Sequence, residues 1–99
     1  MQRYNLENIK VQDEPELKFS SAHAVVRESG EHKSWEVVVN SESSERLEKL
    51  KNNDEKITVE MTEENGRVLR GDCYVTEASE GSEVTSYYLS GEGQLQGAL

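Results

Sequence analysis

Ninety-nine residues suffice for one small domain with a core of modest size. Twenty acidic against eleven basic side chains give a formal net charge of −9, and a surface of that sign repels nucleic-acid phosphates and anionic membranes. Only 33% of the residues are apolar and the mean hydropathy is −0.83, so part of the apolar surface is expected to be buried only on assembly with other subunits.

The acidity is uneven. Seven basic and ten acidic residues lie up to Leu50, and four against ten follow it, with no Lys or Arg after Arg70. The first 16 residues are polar with scattered Tyr4, Leu6, Ile9 and Val11, and they close on Asp13-Glu14-Pro15-Glu16. Pro15 would not sit inside a central strand or helix, so residues 1–16 are expected to form an extended arm. Its four apolar residues are the candidate docking points on a neighbouring subunit.

Leu17 to Val26 reads as a strand, and Glu28-Ser29-Gly30-Glu31 as a turn. Ser34 to Val39 returns with Trp35, Val37 and Val39 on one face. Leu17, Phe19 and Val25 would share a face with Ser21 and His23, a pattern that implies a bulge or a partly wet surface. Between Ser41 and Asn53 the spacing predicts a short amphipathic helix. Ser43 or Ser44 would cap it, Glu45 would favour its N-terminus, Lys49 and Lys51 its C-terminus, and Leu47 and Leu50 would form its apolar stripe.

Ile57, Val59 and Met61 alternate with polar residues, the cleanest period of two in the chain. Asn65-Gly66 then predicts a type I′ hairpin turn into a strand from Val68 to Ala78, with Gly71 marking a bulge or a close backbone approach. After a turn at Gly81 a last strand runs on through Tyr87, Tyr88 and Leu89 to Leu95. These elements predict an α+β fold, mainly antiparallel β: a β-sandwich or partly rolled barrel with one short flanking helix, in the order ββαβββ, over residues 17–99.

Motifs for chemistry are scarce. Cys73 has no partner cysteine and sits in a strand with no nearby His or Lys to lower its pKa, so it reads as a small buried hydrophobe. His23 and His32 have no ligand-spaced companions, and neither Asp13, Glu14 and Glu16 nor Glu63 and Glu64 have the spacing of a calcium loop. Gly91-Glu92-Gly93 is not followed by a helix, which a phosphate site would need. No metal, no cofactor and no enzymatic activity are therefore expected. No apolar run reaches the length of a membrane span or a signal-peptide core.

Gly71 with Tyr74-Val75-Thr76, followed by Gly91-Glu92-Gly93 with Leu95, resembles the closing strands of bacteriophage tail-tube proteins, a fold shared with the type VI secretion tube protein. The order of hairpin, short helix and the strand Ile57 to Met61 is similar too. This resemblance implies a structural, self-assembling phage or prophage tail protein. Its partners would be further copies of itself and other tail proteins, in the bacterial cytoplasm and then in the virion tail. Subunits of that family form rings whose inner strands join into a β-lined channel for DNA. Asp72, Glu77, Glu80, Glu83 and Glu92 are then the candidate lumen-facing acids, since negative walls would let DNA pass without holding it. The alternative is a small acidic module that regulates a viral or host partner through an exposed sheet edge.

Overall fold

Side chains that alternate between a packed interior and solvent run through six antiparallel strands and close them into a barrel. The structure is a computed structural model and describes residues 2–12, 16–30, 32–42 and 44–98. Its elements are β1 (Gln2–Val11), β2 (Ser21–Ser29), β3 (His32–Ser41), α1 (Glu45–Asn52), β4 (Ile57–Glu63), β5 (Val68–Glu80) and β6 (Thr85–Gln96). The wall reads β1-β2-β3-β6-β5-β4 and returns to β1, every pairing being antiparallel. The order is thus βββαβββ, one strand more than the expected ββαβββ.

That extra strand is the segment expected to be an arm. Gln2 to Asn5 pair with β2 and Leu6 to Val11 pair with β4, with a shift in register between Leu6 and Asn8. The irregularity lets a single strand bend from one neighbour to the other and seal the wall. It also explains the changed parity, in which Tyr4 and Leu6 point inward before it and Ile9 and Val11 after it. All four are in the core, so they are not free to dock on a neighbour. Polar outward residues at every second position of an edge-free strand produce the same sparse apolar pattern as a loose terminus. Pro15, with Asp13 and Glu14, lies outside the described residues.

β2 corrects a second expectation. Leu17 and Phe19 precede the strand, and its inward side chains are Ala22, Ala24 and Val26, while His23 is half-buried on the outside. Small alanines in the wall leave room for the larger residues opposite, and they carry little hydrophobic signal.

The hairpin of β4 and β5 forms as expected, pairing Ile57 with Cys73 and Met61 with Leu69. Its turn differs from type I′. Gly66 has φ +96°, but Asn65 is not among the residues of positive φ. The Gly66 amide donates to the Glu63 carbonyl (2.8 Å) and the Glu63 amide to that of Arg67 (2.7 Å). This is a three-residue connection whose last position alone is left-handed, which the glycine supplies.

Helix α1 starts at Ser44, whose hydroxyl accepts from the Leu47 amide (3.3 Å) and whose own amide donates to the Tyr87 hydroxyl (2.8 Å). Leu47 enters the core, Leu50 packs against it, and the helix lies on β5. Eight residues with one buried leucine would not hold a helix in water alone, so packing on the barrel stabilises it.

Candidate assembly surface

The two longest strands, β5 of 13 residues and β6 of 12, form the hairpin that carries the glycine motifs and the late acids. Their glycines have a packing role. Gly71 and Gly91 face the Trp35 indole, and a Cβ on Gly71 would lie 2.6 Å from it. A Cβ on Gly91 would overlap the indole ring. Trp35 is buried, and its Nε1 donates to the Gly93 carbonyl (3.1 Å) at a left-handed glycine. Leu95 comes in beside Gly71. Two strands without side chains at these points and one large side chain from β3 therefore fill this part of the interior, a large-against-small fit common in narrow barrels.

At the level of sequence, a phosphate loop at Gly91-Glu92-Gly93 is set aside and the segment is not joined to Trp35. The available signal was the only tryptophan of the chain set against glycines at inward strand positions.

Pairing along this hairpin is uneven. β4 reaches only to Cys73, so Tyr74 to Glu80 pair with β6 and have no β4 partner. On the other flank, β3 pairs with β6 from Glu36 to Ser41. Below that point the walls part, and a cleft of about 350 Å³ opens between them, floored by Val26, Trp35 and Leu95.

The outer surface of β3, β6 and β5 has an unusual composition for so acidic a chain. Val38, Tyr88 and Tyr74 are half-exposed there. Around them, polar side chains bond one another. Asn40 donates to Ser21 (3.1 Å) and accepts from Ser86 (2.6 Å), and Thr76 reaches both the Tyr88 carbonyl and the Ser90 hydroxyl (3.2 Å each). Glu36 on this surface is paired with Arg27 at 3.2 Å, whereas Glu77, at the bulge in β5, and Asp72 and Glu92, farther along the same face, add negative charge around the tyrosines. Tyrosine, hydroxyl and amide groups make a surface suited to another protein.

The candidate acids lie within and around this surface. Glu77 stands opposite Tyr88 in the β5–β6 register, while Glu80 and Glu83 lie at the tip of the hairpin, and all three are exposed. Asp72 and Glu92 stand opposite each other in the β5–β6 register at its far end. Asp72 differs from the rest, being half-buried and accepting a bond from the Thr58 hydroxyl at 2.7 Å.

Burial holds Cys73 as the neutral thiol, its pKa pushed up to about 12, with the Asp72 charge adding to the effect. Loss of solvent lowers the pKa of His23, helped by Arg3 nearby and opposed by Glu36. Among the described residues, no three His, Cys, Asp or Glu side chains are grouped to hold a metal ion. No helix among them is long and apolar enough to cross a membrane. Comparison of the chain with protein-family models, with curated proteins and with solved structures gives no match.

Proposed function

We propose that this chain is a structural, self-assembling component of a phage or prophage tail, whose copies form rings or a tube through which DNA passes. The observation that carries the reading is the outer surface of β3, β6 and β5. On a chain of net charge −9, copies repel one another at long range, and a tyrosine-bearing surface rich in uncharged polar groups is where they could meet at least electrostatic cost. The acids at both ends of the hairpin would then border the contact and line the conduit. Negative walls suit passage of a polyanion, because lysines and arginines would hold it by counterion release. The one-sided pairing of Tyr74 to Glu80 offers a further place where strands of adjacent copies could join.

Negative-stain microscopy and sedimentation of concentrated protein test this directly. Rings or tubes are expected, and Tyr88→Lys should abolish them while leaving the monomer folded. A chain that stays monomeric at every concentration overturns the reading.

The alternative, a small acidic module that regulates a viral or host partner, keeps one specific support. An extended peptide could pair with the side of Tyr74 to Glu80 that β4 leaves unpaired. Apart from that stretch and the parted lower end of the β3–β6 seam, the wall is closed, which leaves few edges on which such a module could rely.

A further inference from the structure

We infer that the tip of the β4–β5 hairpin is a site of spontaneous deamidation at Asn65, held shut by the folded turn and opened when the hairpin unpairs. Of the asparagines at positions 5, 8, 40, 52, 53 and 65, only Asn65 precedes a glycine. The reaction needs that neighbour. The backbone nitrogen of Gly66 gives up its proton to solvent base and attacks Cγ of Asn65. The bond from Cγ to the side-chain nitrogen breaks, ammonia leaves, and a five-membered succinimide closes. Water then adds to one of the two ring carbonyls and opens the ring to aspartate or isoaspartate. No enzyme, oxidant or cofactor enters, and a side chain on the following residue would hinder ring closure.

Access at this tip is unrestricted. Asn65 and Gly66 are exposed, and a Cβ built on Gly66 would meet nothing within 4 Å. What opposes the reaction is hydrogen bonding to both reacting groups. The attacking nitrogen is committed, since the Gly66 N–H donates to the Glu63 carbonyl at 2.8 Å. The side-chain amide is fixed as well, because Asn65 Oδ1 accepts from the Arg67 amide at 3.0 Å. Ring closure must break both bonds and turn the Asn65 carboxamide towards the Gly66 nitrogen, so the reaction waits for the tip to open.

The product would be felt by the barrel. Aspartate keeps an acceptor for the Arg67 amide but adds a charge beside Glu63 and Glu64, where Arg67 sits 3.6 Å from Glu63. Isoaspartate inserts an extra backbone carbon into a connection that sets the register of Thr62 against Val68. Since β4 joins β5 to β1, a slipped register there opens the wall.

The test follows modification by peptide mapping and mass spectrometry on the full chain, in neutral buffer and in the same buffer with denaturant. Conversion at Asn65 should be at least about tenfold slower in the folded protein, the ratio expected when reaction requires local opening. Arg67→Pro, which deletes the amide held by Asn65, should raise the folded-state rate while leaving the unfolded rate unchanged. If that variant fails to fold, the rate of the unmodified chain across a denaturant titration serves instead and should climb before or with global unfolding. Equal rates in the folded and unfolded chains overturn the inference, as does a folded-state rate insensitive to Arg67→Pro in a variant that folds.

Discussion

The Trp35 indole occupies the volume that a side chain on Gly91 would need, and Gly71 meets the same ring from the adjoining strand. Three strands are tied by this fit, since Trp35 is on β3, Gly71 on β5 and Gly91 on β6. Gly91→Ala should therefore destabilise the fold by overpacking, by about 1–3 kcal/mol. Trp35→Ala should cost more, about 3–5 kcal/mol, because it empties the site. Denaturant unfolding of both single variants and of the pair checks this. If the alanine fits into space vacated by the indole, the double variant should lose less than the two singles together.

Strand β1 should prove indispensable. Removing residues 1–11 takes away Tyr4, Leu6, Ile9 and Val11 from the core and the partner of both β2 and β4. Loss of cooperative unfolding is the expected outcome, read by circular dichroism. Ile9 is fully buried, so Ile9→Ala alone should cost about 2–5 kcal/mol. A truncated chain that still folds would show that β1 is dispensable after all.

Cys73 should be inert in the native state. Its thiol is fully buried, with the pKa raised to about 12, so a thiol reagent at mildly alkaline pH should label only the unfolded chain. The sign of the linkage follows. The folded state keeps the proton that the unfolded thiol, at its ordinary 9.0, gives up. The contribution to stability is thus fully present below that value and is lost as pH rises towards about 12. Cys73→Ala should flatten this alkaline limb in denaturation curves taken across the range. Rapid native labelling would contradict the packing around it.

His23 works in the opposite direction. Desolvation, assisted by Arg3 and opposed by Glu36, lowers its pKa below the ordinary 6.5. The unfolded chain then binds the proton more readily, and stability due to this residue declines as pH falls through 6.5. Comparing His23→Gln with the unmodified chain between neutral and mildly acidic pH should show a shallower decline for the variant.

Much of the fold could be read from residue patterns. Ile57, Val59 and Met61 alternate cleanly because β4 has one wholly buried side, and the helix was marked by Ser44, Leu47 and the lysines that follow. Where small or widely spaced residues line the interior, the pattern faded. Ala22 and Ala24 gave β2 no apolar side, and the bulge near Leu6 split the β1 pattern into two registers, so that a barrel strand read as a loose arm. Closure of the wall depends on pairings between distant segments, such as Ile9 with Met61, which local periodicity does not encode. The candidate assembly surface was hidden for a different reason. Val38, Tyr74 and Tyr88 come together only across three strands, whereas the acids were visible as a run of single charges.

Reversing the charge of the hairpin acids should separate folding from function. Glu77, Glu80, Glu83 and Glu92 are exposed, and replacing each by Lys should change stability by no more than about 0.5 kcal/mol. Asp72 belongs outside this set, because its bond to Thr58 and partial burial would add a structural cost. In a conduit, these carboxylates repel phosphates over roughly 8 Å at physiological salt, a reach that matters only where walls are close. The fourfold variant should therefore still assemble but slow DNA passage in loaded particles, and the free subunit should begin to retain DNA with a steep dependence on salt. The unmodified subunit should retain none in the same filter-binding assay. Salt-sensitive DNA binding by the unmodified chain, or unaltered passage through particles built from the variant, would remove the acids from the mechanism.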